Sequence, residues 1–314
     1  MPWPFHRRPA LDADHPDALA DAHNRAVELG ARGQFQQARE LDEDTLERRR
    51  RVLGPDDPRT LATANNLAAD LRELGERGQA RELDEDTLER RRRTLGDDHL
   101  GTLANAGALA GDYRALGDFG RARELDELAF FGRQRVLGGD DIQTLQSAHV
   151  LGIDLRSLGE FQQARELDED SFHRRRRILG DDHPDTLANA NNLAVDLREL
   201  GEHQQARALD EDTLARRRRT LGDDHPNTLN SANNLAADLH ALGEHQRALE
   251  LDEDTLARRR RVLGDADPGT VANAQAVATA LRAMGHIDRA AVLLAEFGLS
   301  PDAVGGPPAP APQG

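Results

Sequence analysis

Three Asp-Asp-His segments carry side chains suited to metal chemistry. They are Asp97–His99, Asp181–His183 and Asp223–His225. Two carboxylates beside an imidazole can bind a metal ion. However, each segment lies between a glycine and a proline or leucine, ahead of a stretch suited to helix, where it supplies capping side chains. A catalytic or metal site usually occurs once in a chain, whereas this pattern recurs. We therefore predict helix caps and no metal site.

Runs of arginine are the second chemically suggestive feature, because clustered guanidinium groups can bind nucleic-acid phosphates. The runs are Arg48–Arg51, Arg90–Arg93, Arg174–Arg177, Arg216–Arg219 and Arg258–Arg261. Each run follows an acidic segment on the same predicted helix, and pairs such as Asp86 and Arg90 are spaced for i,i+4 salt bridges. Aromatic residues that would stack on bases are not interleaved, and the net charge is −16. We predict a solvated, salt-bridged face and do not expect nucleic-acid binding.

Several kinds of chemistry are excluded by composition. The chain has no cysteine, which rules out disulfides, thiol catalysis and cysteine-bound zinc. All 41 Lys-or-Arg positions are arginine, so a GxxxxGK[ST] phosphate loop is absent as well. No nucleophile, base and orienting group stand together outside repeated positions. We therefore expect no enzyme, no catalytic residue and no cofactor.

The expected compartment follows from hydropathy. No apolar run approaches the ~18 residues that a membrane span requires. The first ten residues contain no apolar core of a signal peptide. We expect a cytoplasmic protein that does not enter membranes.

An internal period of 42 residues sets the organisation of the 314-residue chain. A Leu-Gly pair recurs at residues 53, 95, 137, 179, 221 and 263, and Leu11-Asp12 starts an earlier copy. The predicted units begin at residues 11, 53, 95, 137, 179, 221 and 263, and the last ends near residue 298. Residues 1–10 form an N-terminal extension, and the Pro/Ala/Gly-rich residues 299–314 are expected to be a disordered tail.

Each unit has the pattern of two helices. In the unit from residue 179, Gly180 and Gly201 separate two segments whose apolar residues fall three or four apart. Abundant Ala, Leu, Glu and Arg favour helix. One such hairpin cannot bury its apolar stripe alone, whereas stacked hairpins build a continuous core.

The repeat resembles the tetratricopeptide family. The resemblance lies in Asn192-Leu193-Ala194, Gly201 and Ala206. The 42-residue spacing and the HPDTL…NNLA wording resemble the kinesin-light-chain subtype, and ELDEDTLxRRRR resembles arrays in actinobacterial proteins, where such repeats often follow a signal-transduction NTPase module. The resemblance covers residues 11–298. It implies an all-α fold, an α-solenoid superhelix of seven stacked antiparallel helix hairpins.

The same resemblance implies a binding groove, since the first helix of each repeat lines the concave face in this family. The implied groove residues are Asn65, Asn66, Asn191, Asn192, Asn233, Asn234, Arg72, Arg114, His149, Arg156, Arg198 and Arg282. An Asn amide can both donate to and accept from an extended peptide backbone, and an Arg can pair with a ligand carboxylate. The alternative is that the asparagines tie adjacent helices together.

The resulting functional hypothesis is a protein–protein interaction scaffold or adaptor that binds a peptide or protein segment. A ligand-sensing regulatory arm for a separately encoded NTPase or enzyme is the alternative, and a nucleic-acid-binding array ranks third. Fold alone does not decide among these three.

Units three and four depart from the repeat. Leu128 and Phe131 replace charged residues, and Tyr113 is the single tyrosine. These three are predicted to form an exposed apolar patch, with a locally repacked joint as the alternative. Trp3 and Phe5 are predicted to cover the first repeat, and the last predicted helix lacks a polar outer face. Homo-oligomers through the ends or the central repeats are therefore a candidate assembly.

Overall fold

The computed structural model describes residues 14–300, and within them it contains only α-helices and the turns that connect them. Its helices are α1 Pro16–Ala31, α2 Phe35–Val52, α3 Pro58–Glu73, α4 Arg77–Leu95, α5 Leu100–Ala115, α6 Phe119–Leu137, α7 Ile142–Ser157, α8 Phe161–Leu179, α9 Pro184–Glu199, α10 His203–Leu221, α11 Pro226–Ala241, α12 His245–Val262, α13 Pro268–Ala283 and α14 Ile287–Glu296. The all-α prediction is confirmed. The predictions for residues 1–10, Trp3, Phe5 and the tail beyond residue 300 lie outside the described residues.

The helices divide into two compact units, Met1–Leu158 with α1–α7 and Gly159–Gly314 with α8–α14. Within each unit every helix packs against the next one along the chain, as the α-solenoid prediction requires. The first helices of successive repeats also touch, because α1 contacts α3 and α9 contacts α11. None of the described helices combines the length and the apolarity that a membrane crossing needs.

The Asp-Asp-His segments cap helices, as predicted. The Nδ1 atoms of His99, His183 and His225 accept hydrogen bonds from the backbone N–H groups two residues ahead, at 3.1–3.2 Å. Each histidine is the N-cap residue of a first helix. The aspartate two residues before the cap binds the preceding repeat, since Arg92 Nε donates to Asp97 Oδ1 at 2.7 Å. The segment therefore both starts a helix and ties it to the helix before it.

Glycine ends the second helices where the chain turns back. Gly96 and Gly180 follow α4 and α8 with φ of 87° and 93°, in the left-handed region that other residues disfavour. Alanine at the crossing of the two helices of a hairpin allows their close approach, and Ala80, Ala122 and Ala206 are fully buried there. Leucines complete each core, for example Leu88 and Leu109 around Ala122.

Candidate functional site

The predicted asparagines lie on first helices and are half-buried. Asn65 and Asn66 belong to α3, Asn191 and Asn192 to α9, and Asn233 and Asn234 to α11. The amide of Asn191 donates to Ser231 Oγ at 3.4 Å and so connects α9 with α11. The amide oxygens of Asn65 and Asn233 are buried and have no hydrogen-bond partner among residues 14–300. Asn191 thus takes the helix-tying role that was the alternative to ligand binding, and ligand binding by the set stays a prediction.

Away from their first and last turns, the first helices from α3 onward expose uncharged side chains, most of them small, whereas α1 exposes Asp21 and Arg25. The uncharged side chains include Ala104 in α5, Ala188 in α9, and Asn230 and Ala237 in α11. The exposed faces of the second helices differ, since they carry carboxylates and guanidinium groups in ion pairs such as Arg216–Asp212 at 2.7 Å. The middle parts of the first helices from α3 onward therefore present a surface that an uncharged peptide backbone can approach without displacing ion pairs.

Beneath this surface, arginines join successive repeats through buried carboxylates. Arg72 of α3 pairs with Asp84 of α4 in its own repeat and with Asp112 of α5 in the next, the Nε–Oδ1 distance to Asp112 being 2.8 Å. Both aspartates are buried. The same arrangement joins Arg114 to Asp126 and Asp154, and Arg198 to Asp210 (3.0 Å) and Asp238 (2.5 Å). We call each set of one basic position and two aspartate positions a joint, numbered by the repeat that supplies the basic position.

The joints bear on the predicted role of these arginines. Arg72, Arg114 and Arg198 already donate to two internal carboxylates each. A ligand carboxylate would therefore compete with buried aspartates for the same guanidinium groups. Arg156 and Arg282 are half-buried at the equivalent positions of α7 and α13, and His149 is half-buried on α7. Ligand binding by any of these six basic residues stays a prediction.

Burial dominates the electrostatics of the joints. It raises the pKa of Asp84 to about 6, although the positive charge of Arg72 acts to lower that pKa. Burial raises the pKa of Asp126 to about 8, with the hydrogen bond to Asp154 acting in the same direction. Burial and the charge of Asp238 together raise the pKa of Asp210 to about 8. Because one guanidinium faces two carboxylates, these joints hold a proton more readily than a solvated aspartate does.

Two joints lack an arginine at the basic position. In the first joint Gly30 stands at the arginine position, and Asp42 and Asp70 stand at the aspartate positions. In the sixth joint the basic position is His240, which lies 3.5 Å from Asp252, and Ala280 replaces the second aspartate. The sixth joint has thus lost a carboxylate together with the arginine, whereas the first has kept both carboxylates.

The prediction that the arginine runs form a wholly solvated face was wrong in one respect, because one arginine in each run is buried. Arg217 Nη1 donates to Asn227 O at 2.9 Å and to Ser231 Oγ at 2.8 Å, so it connects α10 to α11. The buried members are Arg49, Arg91, Arg175, Arg217 and Arg259. The sequence spacing could have predicted this burial. One buried face of α10 carries residues at positions i, i+3, i+4 and i+7, namely Asp210, Thr213, Leu214 and Arg217. The outer arginines form the predicted salt bridges, including Arg90–Asp86 at 2.9 Å.

Two neighbouring arginines of one run allow a matched test of this burial. Arg217 is 5% exposed, whereas the side chain of Arg218 is 44% exposed and pairs with Asp223 at 3.2 Å. Arg217→Ala leaves carbonyl and hydroxyl acceptors buried without donors, and we expect it to lower the free energy of unfolding by about 2–4 kcal/mol. Arg218→Ala should cost less than about 1 kcal/mol. Urea denaturation of both variants measures the difference, and equal losses would contradict a structural role for the buried arginine.

The predicted apolar patch in the third repeat is largely internal. Tyr113 is 7% exposed, and its hydroxyl lies between Glu85 and Arg121. Leu128 is half-buried against the core around Leu88 and Ala122, whereas Phe131 is 47% exposed. The prediction that all three residues form an exposed patch was therefore wrong. Only Phe131 is exposed, because Tyr113 and Leu128 complete a core.

The neighbouring glycine accounts for part of this rearrangement. A Cβ at Gly132 would overlap the buried side chain of Leu103. Gly132 stands where other repeats have an outer arginine such as Arg90. The third repeat is therefore repacked around Leu103, which is the alternative that the sequence left open.

The end of the described region exposes apolar side chains. Ile287 and Val292 of α14 are 56% and 62% exposed. Asp288, Arg289 and Glu296 are exposed beside them, so the outer face of α14 is mixed and the prediction that it lacks polar residues was wrong. Assembly through this end stays a prediction.

Comparison with known proteins places this architecture among repeat proteins. A family model described as tetratricopeptide repeat matches residues 17–92, 60–130, 151–219, 186–261 and 231–296. A solved structure of nearly identical TPR-like repeats of the kinesin-light-chain kind, from Podosopora anserina, is 30% identical over 66% of this chain and 98% of that one, with a TM-score of 0.60. No curated protein sequence shows significant similarity.

More distant solved structures share the fold. BtubC (BKLC) from P. vanneervenii is 21% identical over 73% of this chain and 92% of its own, with a TM-score of 0.59. A signal transduction ATPase with numerous domains and a tetratricopeptide repeat sensor, from Pyrococcus horikoshii, is 12% identical with a TM-score of 0.67. The match covers 90% of this chain and 42% of that protein. At these identities the likeness concerns the fold.

Proposed function

The chain belongs to the tetratricopeptide repeat family, and from this premise we propose that it is a non-catalytic scaffold whose first helices bind an extended peptide or protein segment. The observation that carries the proposal is the uncharged exposed face along the middle of the first helices from α3 onward, with asparagines beside it in α3, α9 and α11. A partner can reach that face without breaking the ion pairs that surround the second helices.

The packing of the first helices supports a shared surface within each unit. Because α1 contacts α3 and α9 contacts α11, the exposed faces of successive first helices lie side by side. Ala188 of α9 and Asn230 of α11 occupy the same position of successive repeats and are both exposed. A peptide that crosses these helices meets one amide and one small side chain per repeat.

The chemistry of this surface suits recognition of a backbone rather than of charged side chains. An asparagine amide can donate to a peptide carbonyl and accept from a peptide N–H. One neutral hydrogen bond contributes only about 1 kcal/mol net. Several repeats must therefore act together, and a Kd of about 1 μM is the natural expectation for a short segment.

A pair of alanine substitutions tests the proposal. Ala188 on α9 and Ala215 on α10 are both exposed helical alanines, one on a first helix and one on a second. Peptides selected on the wild-type protein from a random display library should bind Ala188→Glu at least about tenfold more weakly, since the carboxylate must be desolvated under the peptide. Ala215→Glu should bind them as the wild type does.

The asparagines form a second arm of this experiment. The combined Asn65→Ala, Asn191→Ala and Asn233→Ala variant should weaken the same peptides if these amides bind the backbone, while circular dichroism confirms that it stays helical. Selected peptides that bind all variants equally would contradict a first-helix surface. Failure to select any peptide, together with a thermal shift by a small molecule, would favour the ligand-sensing alternative.

A further inference from the structure

We propose that the first joint is a binding site for a guanidinium group that comes from outside the repeats. The joint consists of Gly30 on α1, Asp42 on α2 and Asp70 on α3. This inference is independent of the proposed peptide surface, because a guanidinium compound without any peptide chain can occupy the site.

The spacing of the first joint is that of the joints that contain arginine. Arg72 reaches Asp84, 12 residues ahead, and Asp112, 40 residues ahead. Gly30 precedes Asp42 by the same 12 residues and Asp70 by the same 40 residues. The first joint therefore keeps both carboxylates of a guanidinium site and lacks the guanidinium.

The two carboxylates are buried without the cation that their equivalents have. Asp42 is 0% exposed, and neither of its carboxylate oxygens has a hydrogen-bond partner within residues 14–300. The closest basic atom is Nδ1 of His23, at 3.8 Å, which is beyond hydrogen-bond distance. Asp70 is 7% exposed. In the second and third joints the equivalent aspartates receive hydrogen bonds from arginine.

Other cationic groups near the joint are already bound elsewhere. Arg49 donates to Arg59 O at 2.6 Å, to Thr63 Oγ1 at 2.8 Å and to Leu19 O at 3.0 Å. Burial raises the pKa of Asp42, against the opposing effects of His23 and of the charge of Arg49. Burial together with the charges of Asp42 and Glu73 raises the pKa of Asp70 to about 6. Two carboxylates in this setting are costly to keep ionised, and a bound cation would offset that cost.

Gly30 leaves the place of the arginine without a side chain. A Cβ built on Gly30 would lie 3.1 Å from Oδ1 of Asp70, a tight contact that requires the carboxylate to shift by a few tenths of an ångström, and would have no other heavy atom within 4 Å. Gly30 itself is half-buried, so the position reaches the surface. The equivalent Arg72 side chain is likewise 19% exposed. A guanidinium group can therefore enter from solvent at the place where other repeats supply their own.

The chemistry favours guanidinium over a simple ammonium ion. A planar guanidinium has five N–H donors and can bind two carboxylates at once, as Arg72, Arg114 and Arg198 do in this fold. Its source can be an arginine of another molecule or an arginine of this chain. Arg7 and Arg8 are the arginines that precede the described residues. The two sources place the same chemical group in the joint.

Calorimetric titration of the full chain tests the site with two probes of nearly equal shape, N-acetyl-argininamide and its neutral analogue N-acetyl-citrullinamide. If the site is open, the wild type should bind the arginine probe at least about tenfold more tightly than the citrulline probe. Gly30→Arg should lose this preference and should unfold at a higher temperature, since it supplies the missing group. If Arg7 or Arg8 occupies the joint, the preference should emerge only in the Arg7→Ala, Arg8→Ala variant.

A gap made in the second joint serves as the matched control. Arg72→Gly should unfold at a lower temperature than the wild type, and the arginine probe should raise that temperature more than the citrulline probe does. The proposal is overturned if neither the wild type nor the Arg7→Ala, Arg8→Ala variant distinguishes the two probes. An unchanged or lower unfolding temperature for Gly30→Arg would also overturn it, because the joint would then have no place for the group.

Discussion

Arg72→Ala should lower the free energy of unfolding by about 3–5 kcal/mol, because it removes one cation from between two buried carboxylates. Asp84 and Asp112 both pair with Arg72, and their side chains are 1% and 0% exposed. An ion pair broken from one side leaves the other charge buried without compensation. The loss should therefore exceed what the hydrogen bonds alone contribute.

Arg93→Ala is the matched control for this substitution. The side chain of Arg93 is 58% exposed and pairs with Asp56 at 2.7 Å. An exposed pair of this kind contributes less than about 1 kcal/mol. Chemical denaturation compares the two variants, and amide exchange in α4 and α5 shows whether the loss is local, since repeat arrays can unfold in parts. Equal effects of Arg72→Ala and Arg93→Ala would mean that the joint contributes no stability of its own.

The fold could be predicted from the sequence because its signals are local and repeated. The 42-residue period, the apolar residues three or four apart and the glycines between helices all concern neighbouring residues. Capping by the Asp-Asp-His segments was predictable for the same reason, since cap and helix start are adjacent in sequence. That the histidine is the cap residue is seen in the structure. Each repeat contains these signals again, so sequence changes in one repeat do not hide them.

The joints could not be predicted in the same way, because they depend on contacts between residues far apart in sequence. Arg72 and Asp112 are 40 residues apart, and a charged side chain on an amphipathic helix is ordinarily solvated. The same reasoning assigned Arg217 to the solvated face, although it is buried among backbone acceptors. The absence of an arginine at Gly30 becomes informative only once the arginines of other joints are seen to face paired aspartates.

The third repeat shows a further limit of sequence reasoning. Leu128 and Phe131 are three residues apart and share a helix face in the repeat pattern, yet Leu128 packs inward while Phe131 stays exposed. Tyr113 and Leu128 pack in one core, so the loss of charged residues there serves packing. Comparing the repeats in sequence detects that a charged residue has been replaced by an apolar one. Only the contacts of the new side chain show whether it lies in an exposed patch or in a core.

Stability should fall as the pH rises from about 4 to about 8, in the reverse of the usual behaviour of salt-bridged aspartates. The folded state raises the pKa of Asp84 to about 6 and those of Asp126 and Asp210 to about 8, against about 3.9 in an unfolded chain. A raised folded-state pKa means that the folded protein binds more protons than the unfolded chain between these values. The free energy of unfolding therefore decreases as the pH rises through that interval.

The exposed aspartates act in the opposite direction at lower pH. Hydrogen bonds from arginines lower the pKa values of Asp56, Asp98 and Asp182. The stability that these pairs contribute is present above about pH 4 and is lost as the pH falls below the unfolded-state pKa. The two groups together predict a maximum of stability in mildly acidic solution. The net charge of −16 adds to the decline on the alkaline side, since repulsion among carboxylates grows as the last of them ionise.

Thermal unfolding followed by circular dichroism, at pH values of about 5.5, 7 and 8.5, measures this dependence. We expect the highest midpoint at the lowest of these pH values. Asp210→Asn mimics the protonated carboxyl and should flatten the decline, whereas Asp212→Asn, which changes an exposed aspartate two residues along the same helix, should leave the slope as it is. A midpoint that rises with pH, or equal slopes in the two variants, would mean that the joints do not retain protons in the folded state.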